Sequence, residues 1–312
     1  MTDIFSGHLP PPLSAVMNRM HRPLNGWFGG VLKKFGIIAA LCIFVVGCSS
    51  LKFAYGFVEM MVRDRAEIYL DIRENDGLAL EAEISELVAW HRIEMLPQYA
   101  MFFESQAHLA EGSGPTRTQV DEAVTMFRRL IKDTSQGAAP YIARVLVNHT
   151  SRSKVNYLQA AMDEVLSERR KVFDEPLTDQ IDAAVDKSVT NFERFFGTLT
   201  EGQIAIVREH KTQTYDPTGG WLDWRDKRQQ DLLRFLRTEP SASDIEDYVK
   251  VALTTPEIIV GQAYRERADQ WWAGQAALLY DLMITLDIEQ RQTFVDNLHG
   301  YAVDMVELAG AS

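Results

Sequence analysis

Apolar side chains recur along this chain at steps of three and four. Leu80, Ile84, Leu87, Val88 and Met95 form one stripe, and Val120, Val124, Phe127 and Ile131 form another. Phe294, Leu298, Tyr301, Met305 and Leu308 continue the alternation to the end of the sequence. A period near 3.6 residues gathers such positions on one helix face. No sustained alternation of apolar and polar residues occurs, and the short runs "RVLV" and "EIIV" suit buried helix as well as strand. Helix starts are marked too. Thr116 with Gln119, Thr200 with Gln203 and Asp287 with Gln290 each have capping-box spacing, in which the first side chain accepts from a free N–H and the glutamine reaches back. "LTEGQ" and "LDIEQ" read as two copies of one start device, a weak internal repeat. Breaks fall at 111–116, 214–220, 238–243 and 254–256, each too short for an interdomain linker. The pattern predicts an all-α fold, a multi-helix array or elongated bundle of about ten helices.

The stretch "GIIAALCIFVVGCSS" (36–50) stands outside this pattern. Its apolar run, Phe35–Val46, has 12 residues, whereas a helix crossing a bilayer needs roughly 20. Lys33 and Lys34 precede it, which is the layout of an export signal. Val45-Val46-Gly47-Cys48 puts a branched apolar residue at −3 and a glycine at −1, directly before a thiol. This resembles the lipobox of bacterial lipoproteins. The resemblance implies diacylglyceryl transfer to the Cys48 sulfur, cleavage before Cys48, and acylation of the new amino terminus. Cys42 does not fit, because Leu41 precedes it. Residues 1–47 are therefore expected to be a leader and signal peptide that is removed, with Met17 or Met20 as alternative starts. Residues 48–312 are expected to form a lipid-anchored helical domain.

Charge narrows the partners. The 47 residues before Cys48 carry four basic and one acidic side chain, so the remainder has a net charge of −15 against −12 for the whole chain. Such a surface repels nucleic acid and anionic headgroups. Membrane attachment should then come from lipid, and stable anchoring needs more than one chain. Ser49 after the cysteine resembles the outer-membrane class of lipoproteins, which implies a periplasm-facing location. With Cys42 removed and Cys48 acylated, no thiolate metal site, disulfide or cysteine nucleophile is left. The covalent lipid on Cys48 is the sole cofactor expected, and no metal.

The block "LVAWHRIEMLPQYAMFF" (87–103), the segment "CSSLKFAY" (48–55) and the Leu-Thr-x-x-Gln starts together resemble a family of bacterial α-helical lipoproteins of unknown function. Its Trp-His-Arg, Glu-Leu-Pro, Tyr pattern corresponds here to Trp90, His91, Arg92, Glu94, Pro97 and Tyr99. This chain departs from it by placing Met95 between Glu94 and Leu96, and by having "LDIREND" near residue 71 where a further start belongs. The resemblance implies a fold and a location but no reaction.

Three constellations bear on function. His91 and Glu94 share a helix face and can supply an acid/base pair or two metal ligands, although no second motif offers a third ligand. The plainer reading makes Trp90, His91, Arg92, Glu94 and Tyr99 a polar cluster that pins a helix kinked at Pro97. Trp221, Trp224, Trp271 and Trp272 can line an aromatic groove for an apolar ligand or a partner helix, or simply pack the helices. Arg169, Arg170 and Lys171 suit a helix C-terminus. No nucleophile elbow, phosphate loop, dinucleotide fingerprint or calcium loop is present. The expectation is a binding, scaffold or chaperone-like accessory protein, with a membrane-proximal envelope partner. A metal-assisted hydrolase at His91 and Glu94 and a carrier of hydrophobic ligands are the rivals.

Overall fold

A computed structural model describes residues 50–112 and 114–310. Cys42, Cys48 and the lysines before them lie outside the described residues. The order is α1 (Ser50–Tyr55), α2 (Val58–Tyr69), α3 (Glu74–Trp90), a π turn (His91–Met95), α4 (Leu96–Ala110), α5 (Arg117–Val147), α6 (Arg152–Arg170), a 3-10 turn (Lys171–Asp174), α7 (Leu177–Phe196), α8 (Glu201–Thr214), α9 (Gly220–Leu236), α10 (Ala242–Thr254), α11 (Glu257–Val260), α12 (Gln262–Met283) and α13 (Ile288–Gly310). Among the described residues there is no strand, and ten helices have seven residues or more when α3–α4 is counted as one rod. The all-α array is as the periodicity predicts. "RVLV" lies inside α5 and "EIIV" is α11.

The interior is divided among five small apolar clusters. A compact domain usually has one dominant core, so this division is what makes the molecule an array. The 31-residue α5, about 46 Å long, is its spine. Val120 near its start joins the cluster of α7, α8 and α12. Ala139, Ala143 and Leu146 near its end pack against Ile245 and Val249 of α10. Small residues there let the two backbones approach closely. Helices α4 and α13 run antiparallel: Phe103 meets Tyr301, while Glu111 reaches back to His299. Ala107, Ala110, Val295 and Leu298 fill the seam between them.

All three capping boxes form. Thr116 and Thr200 accept from the amides of Gln119 and Gln203, and Asp287 Oδ1 accepts from Gln290 N at 2.8 Å. The 214–220 break contains Gly219, whose φ of 66° favours glycine and whose added Cβ would stand 2.9 Å from Phe173. Arg169 and Arg170 occupy the last turn of α6, where they complement the helix dipole. Arg170 also pairs with Asp223 of α9 at 3.0 Å.

Candidate functional site

The Trp-His-Arg block is the join between α3 and α4. Pro97, which has no N–H to give to the helix ladder, sits in the first turn of α4 directly after the join. Upstream the backbone widens into a π turn, closed by the Leu96 amide on the His91 carbonyl. A π turn absorbs one more residue than an α turn, and Met95, the residue that interrupts Glu-Leu-Pro, lies in it, 2 % exposed.

Around that join, His91 Nδ1 and the Tyr55 hydroxyl share a 2.9 Å hydrogen bond, with the two rings stacked. The Arg92 guanidinium lies 5.7 Å from the Tyr55 ring centroid. The Tyr99 hydroxyl bonds Thr134 of α5. Trp90 lies against α5 at Gly137, where an added Cβ would come within 1.9 Å of the indole. Burial pushes the His91 imidazole below its ordinary pKa and raises both Tyr55 and Tyr99. Glu94 points to solvent, on the exposed side of the turn. The cluster therefore ties α1, α3, α4 and α5 together, and among the described residues His91 and Glu94 meet no third ligand.

The tryptophans form two separate groups. Trp221, Trp224 and the buried Tyr264 make a triangle of edge contacts with centroids 5.3–5.7 Å apart. Trp271 and Trp272 touch edge to face at 4.9 Å, and Arg128 lies 5.5 Å from the Trp272 ring centroid. Neither group lines the apolar cavity of the fold.

That cavity lies where α4, α5, α7, α12 and α13 meet. It encloses about 310 Å3 and opens to solvent. Phe102, Phe103, Phe127, Phe192, Phe195, Phe196 and Phe294 line it, and Gln106, Gln119 and Asn191 are its few polar groups. The size is at the lower end of the range for small-molecule sites, and the mix of a wide apolar wall with a few polar groups is typical of them. Periodicity marked Val120, Val124, Phe127, Phe294 and Leu298 as helix stripes but did not show that they enclose a hollow. The doublets "FF" at 102–103 and 195–196 held a signal, since adjacent helix positions point about 100° apart and both members of each doublet line this hollow.

Beside the cavity, the outer faces of α4 and α13 bring Glu104, His108, Glu111 and His299 together. In the sequence His108 and His299 read as scattered, because 191 residues separate them. The fold places their rings 5.6 Å apart. The neighbouring carboxylates, Glu104 first, raise the His299 pKa.

The described residues thus define an all-helical array with one wide-walled apolar cavity. Residues 68–265 match a family of unknown function (DUF6279), and the chain belongs to that family. No curated protein and no solved structure matches the chain.

Proposed function

We propose that this protein is a lipid-anchored component of the bacterial outer membrane, facing the periplasm, that binds an apolar ligand chain in the phenylalanine-lined cavity. The cavity carries this reading: about 310 Å3 of hollow with seven phenylalanines on its wall is costly to leave filled with water. The anchor rests on Val45-Val46-Gly47-Cys48 after Lys33, Lys34 and the 12-residue apolar run. One feature of the fold supports it. Helix α1 begins two residues after Cys48, so the folded body starts close to the lipid.

The test is displacement of a fluorescent apolar probe, N-phenyl-1-naphthylamine, by long-chain fatty acid. Wild-type protein should bind the probe saturably. Ala123→Trp, which projects an indole into the cavity, should abolish binding while the thermal transition stays cooperative. Equal probe binding by Ala123→Trp would sink the cavity assignment. A processed, membrane-bound and unacylated wild-type protein would sink the anchor.

A further inference from the structure

The polar cluster on α4 and α13 has the layout of a two-shell metal site. Glu104 and His108 are four residues apart on α4, so they present their side chains side by side. His299 comes from the antiparallel α13. The ligand atoms of these three residues lie within 4.8 Å of one another. Glu104 Oε1 stands 3.3 Å from His108 Nε2, and Glu104 Oε2 stands 2.8 Å from His299 Nδ1. In a tetrahedral zinc site with bonds of about 2.0–2.2 Å, neighbouring ligand atoms are roughly 3.3–3.6 Å apart, so small side-chain rotations suffice to close the site.

The second observation concerns the outward-facing nitrogen of each ring. His108 Nδ1 and His299 Nε2 both face Glu111, at 3.4 and 3.3 Å. A histidine that binds a metal through one nitrogen usually donates its other N–H to a carboxylate, which fixes the tautomer and raises the basicity of the ligating atom. Glu104 thus faces the inner nitrogens and Glu111 the outer ones. The side chains are 32–62 % exposed, which leaves the cluster open to an ion from solvent and to a water as fourth ligand.

We infer that Glu104, His108 and His299 bind a zinc ion, with Glu111 orienting both imidazoles, and that the ion clamps α4 to α13 beside the apolar cavity. Two imidazoles and one carboxylate suit zinc in preference to magnesium or calcium, which take oxygen ligands.

The test is calorimetric titration with zinc chloride of the full chain, purified in detergent and stripped with chelator. One equivalent should bind saturably at pH 7.5 and raise the melting temperature, and magnesium should do neither. His108→Ala, His299→Ala and Glu104→Gln should each abolish the one-to-one isotherm while keeping the helical circular dichroism of the wild type. Glu111→Gln should weaken binding roughly 10- to 100-fold. Absence of saturable binding, or binding undiminished by His299→Ala, overturns the site. Unchanged affinity in Glu111→Gln overturns the role of that carboxylate.

Discussion

Gln203 and Gln290 exchange two amide hydrogen bonds, Nε2 to Oε1, at 2.8 and 2.9 Å across 87 residues of sequence. Each also donates to a carbonyl just ahead of the other's helix: Gln203 to Thr285 at 3.3 Å, Gln290 to Thr198 at 2.8 Å. The sequences "TLTEGQ" and "TLDIEQ" therefore meet about a local two-fold, with Leu199 and Leu286 both in the same apolar cluster. Both glutamines are buried, so a single loss leaves one N–H of the partner amide without its acceptor and one backbone carbonyl without its donor. Gln290→Leu should cost about 2–4 kcal/mol, since an orphaned buried polar group costs about 1–3 kcal/mol and more than one is created. Gln203→Leu in the same background should cost less than it does alone. Urea denaturation of the four proteins of the cycle measures this coupling, and additive losses would refute the pairing.

These glutamines also show how much of the molecule could be read before folding. Capping-box spacing is a local property, so all three helix starts were legible, as were the breaks at 111–116, 214–220, 238–243 and 254–256. The pairing of two starts was not, because nothing within either hexapeptide encodes its partner. The same reason hid the candidate sites. A stripe containing Phe127 or Phe294 reports a buried face, and only the angles between five helices decide whether that face closes on a neighbour or leaves a hollow. His108 and His299 read as scattered, because His299 joins Glu104 and His108 only through the antiparallel α4–α13 pairing. Met95 marked an irregularity that only the backbone could resolve as a π turn.

The contact of Trp90 with Gly137 sets a steric limit. A methyl group at residue 137 would overlap the indole, so either the ring or α5 must move. Overpacking of this kind costs about 1–3 kcal/mol. Gly137→Ala should lower the melting temperature, although alanine is the better helix former in the 31-residue α5. Trp90→Leu combined with Gly137→Ala should recover part of the loss. A Gly137→Ala protein as stable as wild type would show that the indole does not lie on α5.

His149 makes the fold sensitive to acid. Its Nδ1–H donates to the Val145 carbonyl at 2.8 Å, and its Nε2 is buried without a partner among the described residues. Burial is the main cause holding this imidazole below its ordinary 6.5; the Val145 carbonyl opposes it, nearby Lys154 acts in the same direction as burial, and Asp76 and Asp71 oppose it more weakly. The unfolded chain therefore binds a proton near pH 6.5 that the folded chain does not yet accept. Stability is undiminished above that pH, falls as pH drops through it, and stops falling below the folded-state value. His149→Gln keeps a donor for Val145 and removes the titration. Its melting temperature should decline less steeply than that of wild type between pH 7 and pH 5. Parallel curves would exclude His149 as the source.

The last prediction concerns the segment nearest the proposed lipid. Phe53, Phe57, Met60 and Met61 are 66 %, 42 %, 53 % and 44 % exposed, Phe53 on α1, Phe57 in the turn that follows and the two methionines in the first turn of α2. Phe53 and Phe57 touch edge to face at 5.0 Å. Four large apolar side chains facing water within 13 residues of Cys48 suit a surface resting in the headgroup region, where each buried methylene contributes about 0.8 kcal/mol. Acyl chains on Cys48 would mask so weak a contribution, so the test begins by removing them. Cys48→Ala should lose incorporated palmitate and move from the membrane pellet to the soluble extract. The soluble variant should still bind zwitterionic vesicles weakly, because net charge neither helps nor hinders it there. Adding Phe53→Ser and Met60→Ser should remove that residual binding without altering the helical signal. Equal vesicle binding with and without the two serines would show that this face does not meet the bilayer.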